Sequence, residues 1–520
     1  MTDPAALPET AAATVPGTTG RTGPASPSAR DAVDVAPARD PESDVGLLDP
    51  LSAGTAVAAQ SSDTAYLRHL LEVEAAWTAV LAEAGMTSQA HARAAAACAD
   101  PAQYDLTALA HAGQDGGNPL IPVLKAMRAR AAEAAPADAG VAGAIHVGAT
   151  SQDIMDTAMM RMSARVAATI LADLRSAVAA LVDLAREHRD TPMVARSLAQ
   201  HSLPSTFGLR AAGWLTALAQ AGQRLQAATA ALPIQWGGAA GTMAALSGRV
   251  ARAHRDGTLD TGIDAFDLVE RLAGRLGLAA PAGPWHTNRM AVTGIAAALA
   301  DVVAACGKIA NDVLISARIE NGELGEPLAA GRGGSSAMPH KQNPVLSVMI
   351  HAGSLSAPGS LAQVLTAAGA ANEERPDGGW HAEWPALRHL MRQAGGAAER
   401  TAELVSGLRV NTARMAENLN RVGPLLVSER LMAELAPVLQ EQAGGAPGSG
   451  KARLQAIVDR SLGGGEDEPD FRTLLRAELP QSVTDEQLDG LLDPAEYTGE
   501  AGALVDRFVA AASGFLEDGD

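Results

Sequence analysis

The chain has 520 residues, of which 47% are hydrophobic, enough to fill more than one core. Its 59 acidic and 40 basic residues give a net charge of −19, which argues against a general affinity for nucleic acids or anionic membranes. Alanine is abundant and aromatic residues are only 3%, so an all-α fold is predicted. The two cysteines, Cys98 and Cys306, form no CxxC motif, and the N-terminus lacks a signal-peptide pattern. A cytoplasmic protein is therefore expected.

Changes in composition along the chain predict four segments. Residues 1–45 are rich in Pro, Ala, Thr and Ser and are predicted to be a disordered tail. A helical N-terminal domain is predicted for residues 46–143, and a central bundle of long helices for residues 144–402. Glycine-rich breaks near residues 444–450 separate the short helices of a small C-terminal domain, predicted for residues 403–520.

Hydrophobic spacing predicts the individual helices. Asp63 is the expected N-cap of a helix from about Tyr66 to Ala84. Longer helices are expected over 156–187, 207–231 and 287–320, and Thr484 opens a capping box before a short one. The uncharged stretches 228–248 and 344–372 contain Gly, Pro and polar residues. We therefore interpret them as helices buried in a soluble assembly rather than membrane spans.

The first chemical motif is His146-Val147-Gly148-Ala149-Thr150-Ser151-Gln152-Asp153, ahead of a predicted long helix. The free N–H groups and the dipole at a helix N-terminus attract anions. The imidazole and the two hydroxyls therefore lie ahead of a predicted anion site. The alternative is a polar capping loop in which Asp153 is the N-cap.

Four further segments contain side chains suited to carboxylate chemistry. Arg196 and Gln200 lie in segment 193–208. Gln235 and Thr242 lie in segment 232–242, whose glycines let the backbone lie close either to a ligand or to a neighbouring helix, and the two interpretations are equally good. Segment 285–289, Trp285-His286-Thr287-Asn288-Arg289, offers Arg289 as a carboxylate clamp. The fourth segment, 373–384, contains Arg375 and two of the six tryptophans.

The most informative motif is Gly334-Ser-Ser-Ala-Met-Pro-His-Lys-Gln-Asn-Pro344, which follows a second glycine-rich run. Two hydroxyls lie at its glycine-rich end, and Lys341 and Asn343 lie between two prolines. A loop that places a proton-transfer group beside anion-binding groups suits carboxylate chemistry under a lid.

The last motif resembles the signature G-S-S-x-M-P-x-K-x-N-P of the fumarase/aspartase superfamily, and the other segments resemble that superfamily's further motifs. The resemblance runs from about Leu47 to Tyr497 and implies an all-α, three-domain subunit whose central helix bundle forms a tetrameric core with shared active sites. It implies catalytic roles for Ser335 and Lys341. The residues that it implies in substrate binding are His146, Thr150, Ser151, Arg196, Gln200, Gln235, Thr242, Arg289, Ser336, Met338, Asn343 and Arg375.

One departure from the superfamily pattern bears on the reaction. The histidine that serves as the acid in adenylosuccinate lyases falls on Leu198, which cannot transfer a proton. An amine leaving group needs that proton, whereas a carboxylate, with a pKa near ~4, does not. Leu198 therefore argues for a leaving group that is stable as an anion. His201, three residues on, is interpreted as structural.

Segments 232–242, 285–289 and 373–384 resemble most closely the 3-carboxy-cis,cis-muconate cycloisomerase family, except that Glu373 replaces a usual histidine. The prediction is therefore a cofactor-free and metal-free cycloisomerase or lyase acting on a small di- or tricarboxylate, most simply 3-carboxymuconate in protocatechuate degradation. The alternatives are nitrosuccinate lyase, less readily adenylosuccinate lyase, and an inactive structural relative.

Overall fold

A computed structural model of the protein describes residues 44–334, 338, 341–463 and 469–517. The chain from Gly46 onwards forms one compact unit built almost entirely of helices. The predicted disordered tail lies outside the described residues, apart from Asp44 and Val45.

Residues 44–334 contain ten α-helices. They are α1 (Ala56–Gln60), α2 (Asp63–Glu83), α3 (Gln89–Ala97), α4 (Leu106–Gly116), α5 (Leu120–Ala134), α6 (Ser151–Glu187), α7 (Phe207–Ala230), α8 (Ala244–Arg255), α9 (Ala265–Leu276) and α10 (Met290–Ser316).

The described residues from 338 onwards contribute eight more α-helices. They are α11 (Val345–Gly369), α12 (Gly379–Ser406), α13 (Thr412–Asn420), α14 (Ser428–Gln442), α15 (Ser449–Gly463), α16 (Phe471–Glu478), α17 (Asp485–Leu492) and α18 (Ala501–Glu517). Two small antiparallel sheets pair β1 (Pro192–Ser197) with β2 (Gln200–Thr206) and β3 (Leu324–Gly325) with β4 (Arg409–Val410).

The five longest central helices, α6, α7, α10, α11 and α12, pack together around one large apolar core. Because α6 has 37 residues without Gly or Pro, it runs for about 55 Å at ~1.5 Å per residue. The last helix, α18, returns to pack on α6 and α7, and its Phe515 is fully buried. We call the bundle of α6, α7, α10, α11 and α12 the helix rod. Loops from several parts of the chain lie at its two ends.

Two of the smaller apolar cores among the described residues are each built by a group of helices. One packs α2, α5, α8 and α9 around the indoles of Trp77 and Trp236, whose ring centroids lie 4.0 Å apart with the ring planes tilted by 42°. The other belongs to the helices from α14 to α17 and includes Leu431, Leu475 and Leu488. The short helices predicted near the C-terminus, including the capping box at Thr484, are present.

Several local predictions need correction. Ser62, not Asp63, caps α2, because its hydroxyl accepts the backbone N–H of Ala65. Stretch 228–248 is not one helix, since Pro233 and the glycines that follow end α7 at Ala230 and leave a loop before α8. The helix predicted over 287–320 is shorter at both ends. Segment 193–208, for which no strand was predicted, contains a β-hairpin whose second strand, β2, runs directly into α7.

Within the described residues, two helices, α10 and α11, are long and apolar enough to span a membrane by length and composition. Helix α10 is mostly buried in the core, as a soluble core helix would be. Helix α11 was expected to be buried on all sides, but within one chain it leaves Val348, Leu355 and Leu365 exposed. This apolar face suits packing against another copy of the chain better than exposure to water.

Candidate active site

Asp153 organises the N-terminal end of α6. Its carboxylate is fully buried and accepts four hydrogen bonds of 2.8–2.9 Å. The donors are the backbone N–H groups of Thr150, Gly237 and Gly238 and the Nε2 of His286. Asp153 is thus the N3 acid of a capping box whose N-cap is Thr150, rather than the N-cap itself. One carboxylate ties the helix start to the glycine-rich loop 237–242.

Groups of the kind that bind anions lie around Asp153. Nη2 of Arg375 lies 2.8 Å from the hydroxyl of Thr150 and 3.0 Å from the carbonyl of Ala239. Ser151 occupies the first turn of α6, and Thr242 is exposed on the adjoining loop. A guanidinium, hydroxyls and the free N–H groups of a helix N-terminus together form a suitable site for a carboxylate.

His146 lies on the loop that leads into this helix start. Its Nδ1 is 2.6 Å from Oε1 of Glu74, a carboxylate on α2 that is almost completely buried. The backbone of His146 has φ 67°, a left-handed conformation that is uncommon for residues other than glycine. The imidazole is partly exposed, so it remains a candidate substrate ligand.

Arg289 does not act as the predicted substrate clamp. It is 2% exposed and makes a bidentate ion pair with Asp156, at 2.7 and 3.0 Å, while also bonding Glu383. Trp380 Nε1 donates to the same Asp156 carboxylate at 2.9 Å. Burial raises the pKa of Glu383 to about 7, aided by the charge of Asp156 and opposed by that of Arg289. This cluster is structural, since protein groups take up the guanidinium donors.

Gln235 is also buried. Its Oε1 accepts the backbone N–H of Trp285 at 3.0 Å, and its main chain exchanges hydrogen bonds with Thr157 on α6. Its Nε2 has no partner among the described residues. Gln235 therefore holds the glycine-rich loop 237–242 in place through the segments on either side of it.

The other end of the rod carries the β1–β2 hairpin. Arg196 makes a bidentate ion pair with Glu323, at 2.9 and 2.7 Å, so its guanidinium is committed to a protein carboxylate rather than free for substrate. Beside it lies a cleft of about 800 Å³ lined by Arg196, His201, Arg210, Lys308 and Asp312, among others. Burial, and then the charges of Arg196 and Arg421, lower the pKa of His201 and so favour its neutral form.

The hairpin ends in a two-residue turn formed by Leu198 and Ala199. Both have left-handed backbones, with φ 51° and 66°, as in the type I′ turns that match the twist of paired strands. Leu198 is 96% exposed in a single chain, and Gln200 is exposed beside it. An apolar side chain at such a tip suits insertion into another surface.

The signature loop lies at this same end. Ser335 and Ser336 fall outside the described residues. Lys341 is exposed, Met338 is exposed, and the amide of Asn343 donates to the carbonyl of Gly333 at 3.0 Å. Asn343 thereby holds the base of the loop. Glu326 caps the start of α11, by accepting the N–H groups of Leu346 and Ser347.

These two sets of residues lie at opposite ends of one chain. Helix α10 begins next to Arg289, and its last residues, Ile315 and Ser316, line the cleft beside the hairpin. Its 27 residues separate the two ends by about 40 Å at ~1.5 Å per residue. Thr150 and Lys341 therefore do not meet around one small ligand within a single chain.

Sequence reasoning did not identify four acidic residues of the site. They are Glu74, Asp153 in its anchoring role, Asp156 and Glu323. Only the motif around Asp153 carried a signal in the sequence, since a Thr three residues before an Asp is a capping box. The other three are single acids in apolar helices or at loop ends, and only the fold brings them to their partners.

Comparison with known proteins agrees with the fold. The model of a family described as "Lyase" matches residues 55–359. The chain is 44% identical to nitrosuccinate lyase of Streptomyces davaonensis, over 90% of this chain and 94% of that protein. It is 37% identical to 3-carboxy-cis,cis-muconate cycloisomerase of Bradyrhizobium diazoefficiens, over 89% and 97%. The crystal structure of 3-carboxy-cis,cis-muconate lactonizing enzyme from Pseudomonas putida superposes with a TM-score of 0.78 at 32% identity, covering 90% of this chain and 99% of that one.

The chain is therefore an all-α lyase of the fumarase superfamily. The superfamily, the fold class and the expectation of an enzyme are confirmed. The substrate is a finer question, since the relatives include both a nitrosuccinate lyase and cycloisomerases.

Proposed function

We propose that the protein eliminates nitrite from nitrosuccinate, giving fumarate. This alternative replaces the cycloisomerase predicted from the sequence, because the chain is more similar to the nitrosuccinate lyase, at 44% identity, than to the cycloisomerase, at 37%. Both reactions act on a substrate with at least two carboxylates. The anion-binding groups at the two ends of the rod are suited to such a substrate.

The observation that supports this reaction type is Leu198. It occupies the tip of the hairpin, where the superfamily resemblance calls for an acid, and it has no proton to give. Nitrite, like a carboxylate, is the anion of an acid that is ionised at neutral pH, so it departs without protonation. An amine leaving group has no donor at this position.

The chemistry then needs two functions from the chain. A base removes a proton from the carbon next to the carbon that carries the nitro group, and the electrons of that C–H bond form the C=C bond as the C–N pair leaves with nitrite. Ser335 is the proposed base, by its place in the signature loop. The negative charge passes through the adjacent carboxylate, where Lys341 and Asn343 stabilise it, while Thr150, Ser151 and Arg375 hold the other carboxylate.

We further propose that the active sites are shared between chains of a homotetramer. About 40 Å separates the two sets of groups along α10, so an antiparallel arrangement of neighbouring chains is needed to bring them together. The apolar face of α11 and the exposed Leu198 are the surfaces that such packing would cover.

The test is an assay of purified protein on nitrosuccinate and on 3-carboxymuconate side by side. We expect equimolar nitrite and fumarate from nitrosuccinate, at a kcat on the order of 1–10³ s⁻¹ that is typical of enzymes. Lactone formation from 3-carboxymuconate with a higher kcat/KM would establish the cycloisomerase instead, which the match to the lactonizing enzyme favours.

A further inference from the structure

A cleft of about 460 Å³ lies between α2 and α6 and is lined by three arginines. Arg68 comes from α2, and Arg161 and Arg165 come from α6. Arg161 is ten residues beyond Ser151, the first residue of α6, which places it about 15 Å along the helix at ~1.5 Å per residue. The cleft is therefore separate from the groups at the helix start that are proposed to hold substrate.

The charges that line this cleft do not balance. The carboxylate of Glu72 opposes the three guanidiniums, and its Oε2 lies 2.7 Å from Nη1 of Arg161. Arg68 and Arg165 are exposed and have no hydrogen-bond or ion-pair partner among the described residues. Like charges that share a cleft repel one another, and a bound anion relieves that repulsion. In a chain with a net charge of −19, this local excess of cations calls for an explanation.

A buried imidazole is a second feature of the cleft. His69 lines it, is only 6% exposed, and its Nδ1 has no hydrogen-bond partner among the residues that the structure describes. Oε2 of Glu72 is 3.6 Å from this nitrogen, longer than a hydrogen bond. Buried polar atoms are nearly always paired, so an unpaired one marks an incomplete arrangement.

Glu72 thus lies within reach of two donors. It bonds Arg161 in this structure, and a small shift of its side chain would bring it within hydrogen-bond distance of the His69 imidazole. An anion that takes Arg161 therefore leaves Glu72 with another partner, and its carboxylate need not remain beside the ligand. The same shift would satisfy the unpaired Nδ1.

We propose that this cleft binds a small polyanion, a molecule with two or more phosphate or carboxylate groups, through Arg68, Arg161 and Arg165. Each guanidinium presents a planar fork of N–H donors that matches the oxygens of these groups. The volume of the cleft falls within the range of about 300–1,000 Å³ that is typical of small-molecule sites. The ligand would join α2 to α6. The inference does not depend on the identity of the substrate.

Calorimetric titration of the full-length protein with pyrophosphate, and separately with tricarballylate, tests the site. The two probes carry phosphate and carboxylate groups respectively, and constant ionic strength keeps the screening of charges equal. We expect at least one probe to bind with a Kd below about 1 mM. It should also raise the melting temperature, because a ligand that binds only the folded protein stabilises it.

The double variant Arg68→Gln/Arg165→Gln should weaken this binding about 100-fold or more, since each guanidinium makes a charge-assisted contact. The matched control is Arg93→Gln/Arg255→Gln, which removes two exposed arginines on α3 and α8 that also have no partner among the described residues. It changes the net charge equally and should leave the affinity unchanged. Melting temperatures check that both double variants are folded.

Equal weakening in the two double variants would overturn the inference, because it would show a general effect of charge. Binding that is lost in Arg375→Met but kept in Arg68→Gln/Arg165→Gln would also overturn it, by assigning the probes to the candidate active site. No binding of either probe up to about 10 mM, ten times the expected limit, is the third contrary result. If the double variant then also has a smaller mass by light scattering, an acidic side chain of another copy of the chain covers the arginines instead.

Discussion

The two ends of the helix rod use charge differently. At the α6 N-terminus, Arg375, Thr150 and His146 surround an accessible helix start, and the buried acid Asp153 is saturated by four protein donors. At the hairpin end, Arg196 is ion-paired with Glu323, while Lys341 is exposed on the signature loop. Under the proposed function, one end holds a substrate carboxylate and the other supplies a cation and the signature loop, so that the reaction needs both ends.

The largest effect is expected from Arg289→Met. Removing this guanidinium leaves Asp156 and Glu383 buried together without their cation, and breaking a buried ion pair costs about 3–5 kcal/mol. Chemical denaturation should show a loss of this size in the free energy of unfolding. Arg224→Met is the control, because the exposed pair of Arg224 with Asp301 should contribute less than about 1 kcal/mol. Equal losses in the two variants would mean that the buried cluster is not structural.

Ser335→Ala tests the hairpin end. If this serine transfers the proton, kcat should fall by about 10²–10⁴-fold while the melting temperature stays close to that of the wild type. Steady-state kinetics with nitrosuccinate measures the loss. A fall of less than about tenfold would remove Ser335 from the chemical step.

Arg375→Met tests the α6 end. Losing a charge-assisted contact should raise KM about 10- to 100-fold, with a smaller change in kcat, because this group binds a carboxylate that does not react. Arg388→Met, which removes an exposed guanidinium paired with Asp63, is the control. An unchanged KM in Arg375→Met would show that this end does not hold the substrate.

Glu383 predicts a pH dependence of stability. Burial raises its pKa in the folded protein to about 7, from 4.5, so the folded state binds this proton more tightly than the unfolded state. Its contribution to the free energy of unfolding is therefore fully present below about pH 4.5 and is lost as pH rises through about 7. Glu383→Gln should flatten the decline in stability across this range, as measured by denaturation at a series of pH values. An identical slope in the variant would contradict the shift.

The smallest effect is expected from Leu198→His. Because nitrite needs no proton to leave, an added imidazole brings no benefit, and the polar group adds a desolvation cost at a closed site. We expect kcat with nitrosuccinate to stay within about tenfold of the wild-type value and not to exceed it. An increase above wild type would show that the reaction does use an acid at this position.

Local sequence patterns predicted the frame of the molecule well. The motif from Gly334 to Pro344 indicated the superfamily, and the span of α7 was correct to within one residue. Helix periodicity and capping signals are local, so the sequence displays them directly.

The pairings of the site were not predictable in the same way. Arg289 and Arg196 carry the same guanidinium as Arg375, and nothing near them in the chain shows that Asp156 and Glu323 will occupy them. The Glu74–His146 contact joins residues 72 positions apart. Whether an arginine is free for a substrate depends on which carboxylates the fold brings to it, and that is a property of the packed structure.

Mixing subunits that carry a substitution at one end with subunits that carry a substitution at the other end tests directly whether each active site takes residues from two chains. Arg375→Met and Ser335→Ala subunits would be unfolded, refolded together in equal amounts, and assayed for nitrite release at low nitrosuccinate concentration. If each site takes Arg375 from one chain and Ser335 from another, about a quarter of the sites in randomly mixed symmetric oligomers carry both native residues. Activity near a quarter of that of refolded wild-type protein is the predicted result. Activity no higher than the average of the two variants refolded separately would contradict the shared site.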